Sequence, residues 1–157
     1  YFTDPFEAIQ AISSGQIDAV THVEPFATNL VEDSHMTRVI RSNDIWGDHP
    51  DGVLITTQDV LQKHRDTLRS FLGALRSAET AIKDKPTEVA QKLASSFYKL
   101  PAHTLERILG LQAPKIDIRE YDQFFKARYE SLSRLKYVDR PLRNDLYDWS
   151  LLGEHKE

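Results

Sequence analysis

Helix-like and strand-like patterns alternate in the first third of this chain, and their order constrains the fold more than any other sequence feature. Residues 17–23 and 52–57 are short apolar, β-branched runs bounded by turn residues, which is the pattern of buried strands. A helix signal precedes the first run, because Asp4 can cap a helix, Pro5 suits its first position and Gly15 can end it. This order predicts an α/β fold.

The remainder of the chain is dominated by helical spacing of its apolar residues. The predicted helices cover residues 66–82, 87–97, 101–109 and 121–135. A weaker strand signal lies at residues 38–40, and turn residues are concentrated between residues 41 and 52. We therefore predict a boundary in this stretch, with one segment at residues 1–48 and a helix-rich segment at residues 49–157.

The composition is that of a globular protein and excludes several classes of function. Hydrophobic residues make up 40%, charged residues 28%, and the net charge is −4 without a basic tract, which disfavours nucleic acid and anionic membranes as partners. The absence of cysteine excludes disulfides, thiolate zinc sites and cysteine nucleophiles. The chain starts at Tyr1 rather than at methionine, so we expect that an N-terminal part precedes it.

Motifs of catalysis and cofactor binding are missing from the sequence. The six histidines lack metal-binding spacing, and the chain has neither a Gly-rich phosphate loop nor a nucleophile elbow. We therefore expect no metal, no cofactor and no catalytic residue.

Glu24 is the acidic residue with the most informative position. It follows the predicted strand at residues 17–23 directly and precedes Pro25, where a helix signal begins. The C-terminal ends of strands in open α/β sheets bind ligands, so Glu24 can be a ligand-facing carboxylate. The same position suits a helix cap, and the sequence does not separate these alternatives. His22 shares the strand face of Glu24 and is either a ligand contact or a satisfied core residue.

The order of several motifs resembles that of a known family. Residues 8–20 (AIQAISSGQIDAV), followed by Glu24 and Pro25, resemble the pattern A-L-x-x-G-x-I-D-A…E-P of periplasmic substrate-binding proteins. These proteins serve ABC importers for nitrate, sulfonates, taurine and thiamine-pyrimidine precursors. Residues 49–55 (HPDGVLI) resemble the return strand of that family. Residues 61–82 resemble the helix that follows, and residues 81–90 resemble the closing helices.

The resemblance implies the type II periplasmic-binding fold, in which a ligand is held between two lobes. It identifies the chain as the helix-rich C-terminal portion of that fold. Residues 1–48 would form the end of the second lobe, and residues 49–157 the crossover strand and the C-terminal helical part of the first lobe. The missing N-terminal half, or a second chain, would complete the protein. The implied location is the periplasm, or the cell exterior with a lipid anchor.

The implied function is capture of a small polar or anionic solute and its delivery to an ABC transporter permease, without chemical reaction. We expect Glu24, His22 and Thr21 to contact the ligand, and Trp46 and His49 to lie near it at the crossover. A cleft carboxylate favours ligands with an N–H donor over bare nitrate. Alternative functions are an input domain of a membrane receptor, a helical interaction module, or a pyrimidine-precursor-synthesis-like enzyme, whose cysteine-rich motif is absent here.

Overall fold

The computed structural model describes residues 2–33, 36–98, 100–143 and 147–153. Within these residues the chain forms eight α-helices and one short 3-10 helix, Arg119–Tyr121. The α-helices are α1 (Pro5–Ser13), α2 (Phe26–Asp33), α3 (Ser42–Trp46), α4 (Gln58–Lys63), α5 (Arg65–Asp84), α6 (Pro86–Ser96), α7 (Ala102–Leu111) and α8 (Asp122–Arg134).

The chain divides into two compact units. The first unit contains Tyr1–Arg41 and Ala81–Pro114, and the second contains Ser42–Thr80 and Lys115–Glu157. The chain thus enters the second unit within the turn-rich stretch. The assignment of residues 1–48 and 49–157 to two lobes stays a prediction.

Helix α1 forms as its sequence predicts. The Asp4 carboxylate accepts a hydrogen bond from the Phe6 N–H at 2.8 Å, and Pro5 occupies the first helical position. Gly15 follows the helix with a φ of 72°, a conformation that glycine adopts at low cost. The N–H groups of Gly15 and Gln16 then bond to carbonyls of the last turn, in the pattern of a Schellman motif.

The three predicted strands are not observed. Residues 17–23, 38–40 and 52–57 are described, and none of them belongs to a strand or a helix. Val53 and Ile55 are 56% and 84% exposed, so the second run is not buried either. A β-branched run favours a strand only where another strand supplies the ladder hydrogen bonds, and the described residues supply none. The α/β class is therefore not shown by these residues.

The predicted helices of the later part of the chain are present. The helix predicted at residues 66–82 is α5. The single helix that the resemblance implies at residues 61–82 is divided in two, because α4 ends at Lys63 and α5 begins at Arg65. Helix α7 begins directly after Pro101, and α8 covers most of residues 121–135. Apolar spacing at three and four residues is a local signal, which explains its success.

The core of the first unit lies between α6 and α7. Ala90 is 0% exposed and packs with Leu105 and Ile108 of α7, which are also buried. The small side chain of Ala90 lets the two helices approach closely. Leu93 and Leu109 extend this cluster at its edge.

Helix α2 is joined to α7 by one carboxylate. Glu32 accepts a hydrogen bond from the Thr104 hydroxyl at 2.8 Å, and it pairs with the guanidinium of Arg107. Thr104 is 2% exposed, so this contact satisfies a buried hydroxyl. Thus Glu32 fixes the position of α2 within the first unit.

In the second unit, α5 is tied to the segments on both sides of α8. Arg65 donates a hydrogen bond to the Ser150 hydroxyl at 2.6 Å, and Glu79 accepts one from the Ile116 N–H at 3.2 Å. Tyr121 donates to Asp48 at 2.5 Å, which raises the pKa of the phenol well above its ordinary range. These contacts anchor α8 and the stretch after α3.

Candidate functional site

A groove of about 390 Å³ opens in the first unit, beside the N-terminal turn of α1. Its lining includes Thr3, Asp4, Ile17, Val20, Thr21 and His22. Thr21 and His22 are two of the residues that the sequence predicts as ligand contacts. The structure therefore brings these two together at a concave surface, although the strand that was expected to carry them is absent.

His22 holds one side of the groove in place. Its Nδ1 lies 3.0 Å from the Val23 N–H and accepts that hydrogen bond, which assigns the ring proton to Nε2. Nε2 then donates to the Pro5 carbonyl at 3.2 Å. The ring also stacks on Phe26, with centroids 5.0 Å apart. Because both ring nitrogens are occupied, His22 offers a ligand its ring surface, and its predicted polar contact with a ligand stays a prediction.

The residues that line the groove carry both backbone and side-chain polar groups. The peptide groups of Ala19, Val20 and Thr21 have no hydrogen-bond partner among the described residues. Asp4 uses Oδ1 to cap α1, which leaves Oδ2 available as an acceptor. None of the described lining residues is lysine or arginine. The lining residues thus offer peptide N–H donors, the hydroxyls of Thr3 and Thr21, and one carboxylate acceptor.

Glu24 is not part of the groove lining, and protein groups occupy both of its oxygens. Oε2 accepts the Thr28 N–H in the first turn of α2 at 3.0 Å, and Oε1 pairs with Arg38 at 3.1 Å. Arg38 also donates to the Thr28 hydroxyl at 3.1 Å, and Thr28 is only 1% exposed. The capping role of Glu24 is therefore seen directly, whereas its contact with a ligand stays a prediction.

Arg38 is a member of this network that sequence reasoning did not identify. It lies fourteen residues from Glu24, and no helix or hairpin spacing relates the two. The only indication in the sequence was general: a carboxylate that becomes buried needs a cation as its partner. Several cations of the chain meet that need equally well, so the sequence could not select one.

Trp46 and His49 lie in the second unit and form an aromatic cluster with Phe124 of α8. The centroids of Trp46 and His49 are 5.3 Å apart, and His49 stacks on Phe124 at 5.4 Å. The guanidinium of Arg128 lies 5.3 Å from the Trp46 ring, within cation–π range. The structure thus brings Trp46 and His49 together. Phe124 and Arg128, which sequence reasoning missed, share one face of α8 because they are four residues apart.

Metal binding and membrane insertion find no support among the described residues. No group of three or more His, Cys, Asp or Glu side chains in that part of the chain could hold a metal ion. No helix there is both long enough and apolar enough to cross a membrane.

Comparison with known proteins gives one match. The model of the NMT1-like family matches residues 3–97, which is more than half of the chain. The matched region contains every groove-lining residue except Phe2, together with the Glu24 network, Trp46 and His49. Searches of curated proteins and of solved structures found no match.

Proposed function

This chain belongs to the NMT1-like family, and from that premise we propose that it is the solute-binding component of an ABC importer. The family is of the nitrate-, sulfonate- and taurine-binding type, so membership is consistent with a substrate-binding protein that works with ABC transporter components. The proposed ligand is a small polar or anionic solute, and the protein releases it unchanged to the permease. The proposed location is the periplasm, or the cell exterior with a lipid anchor.

The observation that carries this proposal is the groove beside α1. All of its lining residues except Phe2 lie in the matched region, and its volume of about 390 Å³ falls in the range of small-molecule sites, roughly 300–1,000 Å³. Thr21 and the ring of His22 form part of its wall. Unpaired peptide groups in the same wall supply the directional hydrogen bonds that a polar solute requires.

The charges around the groove favour a particular kind of solute. Asp4 supplies a carboxylate, and the described lining contains no lysine or arginine to neutralise a bare anion. A zwitterion of the aminosulfonate type fits both features, because its ammonium group can approach Asp4 and its sulfonate can accept peptide N–H groups near Thr21. A ring with an amino group, as in a pyrimidine precursor, satisfies the same donors and acceptors. Nitrate satisfies only the peptide donors.

We further propose that the complete protein has two lobes that close on the ligand. Residues 1–48 would belong to the second lobe and residues 49–157 to the first, with the N-terminal half or a second chain supplying the rest. The exposed β-branched run at residues 52–57 supports this arrangement, since such a run is suited to pair with a strand. Ligand binding would shift the population toward the closed form, which the permease recognises.

Titration calorimetry on the protein of the length that its gene encodes tests this proposal. The ligands are taurine, methanesulfonate, nitrate and an aminopyrimidine. Asp4→Asn keeps an efficient helix cap but removes the charge. We expect this change to lower the affinity for taurine about tenfold, which corresponds to about 1.4 kcal/mol. Thr21→Val should weaken it as well, whereas the matched control Thr37→Val, an exposed threonine of the same unit, should not.

Two outcomes would contradict the proposal. The first is that none of the four ligands binds to the natural-length protein. The second is that Asp4→Asn and Thr37→Val leave taurine affinity equally unchanged, which would separate solute binding from the groove. Tight nitrate binding combined with no taurine binding would leave an importer function in place but exclude the zwitterion class.

A further inference from the structure

One histidine joins two segments that line the groove of the first unit. Pro5 lies in the first turn of α1, and His22 lies in the segment that precedes α2. The N–H group at Nε2 of His22 donates a hydrogen bond to the Pro5 carbonyl at 3.2 Å. The ring therefore holds the two segments together beside the groove, and its position contributes to the shape of the groove.

The two hydrogen bonds of His22 require a neutral ring. Nδ1 accepts the Val23 N–H at 3.0 Å, which a protonated nitrogen cannot do. Both nitrogens of an imidazolium are donors, so protonation would set two N–H groups against each other. Because the ring is rigid, a rotation that takes Nδ1 away from Val23 also takes Nε2 away from Pro5. The stack on Phe26 does not oppose this change, since the face of an aromatic ring also attracts a cation.

The charged groups around His22 add a second effect of protonation. The charged residues at the start of α1, in the segment of His22 and around the start of α2 are Asp4, Glu7, Asp18, Glu24 and Arg38. Glu24 and Arg38 pair with each other, and the exposed side chains of Glu7 and Asp18 do not line the groove. Asp4 lines the groove together with His22 and does not use Oδ2 for its helix cap. A positive charge on His22 is therefore attracted to the carboxylate that the proposed function assigns to the ammonium group of the solute.

From these observations we infer that His22 makes solute binding in the groove dependent on pH. The neutral ring bonds to Val23 and Pro5 and fixes the groove, whereas the protonated ring releases both groups and competes with the solute for Asp4. Histidine side chains ordinarily change charge between about pH 5 and 8. The groove thus binds its solute at neutral pH and releases it at acidic pH. This inference rests on the proposed function, because it concerns the affinity of the same groove for the same solute.

Calorimetric titrations with taurine at about pH 7.5 and about pH 5.5 test the inference, because carboxyl groups ordinarily titrate below this window. We expect the affinity of the natural-length protein for taurine to fall about tenfold at the lower pH, the effect of losing about one hydrogen bond. His22→Phe keeps a ring to stack on Phe26 but has no nitrogen, so its affinity should be about tenfold lower at neutral pH and the same at both pH values. The matched control is His103→Gln, which changes an exposed histidine on α7 of the same unit and should keep the pH dependence.

NMR of the ligand-free protein gives a readout that needs no solute. At neutral pH the ring nitrogens of His22 should report the tautomer with the proton on Nε2, and the Val23 amide signal should shift as the ring becomes protonated. The tautomer with the proton on Nδ1 would overturn the inference, as would a His22→Phe protein that keeps the pH dependence. Equal taurine affinity at both pH values would overturn the inference alone. Absence of taurine binding at both pH values would instead count against the proposed function and remove the inference with it.

Discussion

The contact between Glu24 and Arg38 leads to a prediction that separates a structural role of Glu24 from a ligand-binding role. Glu24 Oε1 lies 3.1 Å from Arg38, and the two side chains are 18% and 24% exposed. The other oxygen caps α2 through the Thr28 N–H. Replacing Glu24 with glutamine keeps an acceptor for this N–H but removes the negative charge beside Arg38.

The expected cost follows from the burial of the pair. Exposed ion pairs contribute roughly 0.2–1 kcal/mol, and hydrogen bonds to charged groups roughly 1.5–3 kcal/mol. The Glu24–Arg38 pair is mostly but not fully buried, so we expect Glu24→Gln to reduce the free energy of unfolding by about 1–2 kcal/mol. Glu24→Ala also removes the cap and should cost about 1 kcal/mol more.

A double-mutant cycle with Glu24→Gln and Arg38→Gln measures the pair directly. Urea unfolding followed by far-UV circular dichroism gives the free energies, and the coupling between the two changes should be about 1 kcal/mol. The matched control is the exposed pair of Lys85 and Glu88 in the same unit. These side chains are 3.4 Å apart and are 66% and 73% exposed. The coupling of this control pair should be about 0.3 kcal/mol. Salt should reduce it by a larger fraction than it reduces the coupling of Glu24 and Arg38.

Two results would refute this reasoning. One is a Glu24–Arg38 coupling no larger than that of Lys85 and Glu88. The other is a Glu24→Gln protein with unchanged stability and a strongly reduced ligand affinity, which would assign Glu24 to the ligand. A lowered free energy of unfolding with intact affinity would instead establish the cap and the ion pair as the whole role of this carboxylate.

Three further predictions concern the folding of each unit. Gly15→Ala should lower the free energy of unfolding by about 1 kcal/mol because φ is 72°, although no neighbouring atom lies within 4 Å of the added methyl group. Gly110→Ala in α7 should raise the free energy of unfolding by about 0.5–1 kcal/mol. Urea unfolding measures both changes. Ala90→Leu should cost roughly 1–3 kcal/mol in the same assay, since Ala90 is fully enclosed between α6 and α7. Hydrogen bonds from Ser150 lower the pKa of Asp148 in the folded protein. The ionised Asp148 therefore stabilises the fold above the ordinary carboxyl pKa, and this stabilisation is lost as the pH falls through the lowered value. Asp148→Asn should flatten that part of a profile of stability against pH.

The parts of the fold that the sequence predicts are those that neighbouring residues determine. The cap at Asp4, the proline that follows it and the left-handed turn at Gly15 all act within one helix, so their pattern predicts the bounds of α1 closely. Helix α8 has the same explanation, because apolar spacing repeats within the helix itself.

The predicted strands depend on residues that are distant in the sequence. The run at residues 52–57 has the composition of a strand, yet a ladder also needs a partner strand, and the described residues do not supply one. The pairing of Arg38 with Glu24 has the same limitation. A sequence shows that a buried carboxylate needs a cation but does not show which cation the fold delivers.

Glu24 connects the stability of the first unit with its candidate ligand site. Both of its oxygens are occupied by protein groups, so a ligand could bind this carboxylate only by displacing Arg38 or the Thr28 N–H. Displacement would cost free energy of the same size as the coupling that the double-mutant cycle measures. A large coupling therefore weakens Glu24 as a ligand contact and favours the groove, where Asp4 has an unoccupied oxygen and peptide groups near Thr21 lack partners. The stability measurement on Glu24 and the affinity measurement on Asp4→Asn thus both test whether the solute binds in the groove and not to Glu24. Each oxygen that protein groups occupy is unavailable to the solute.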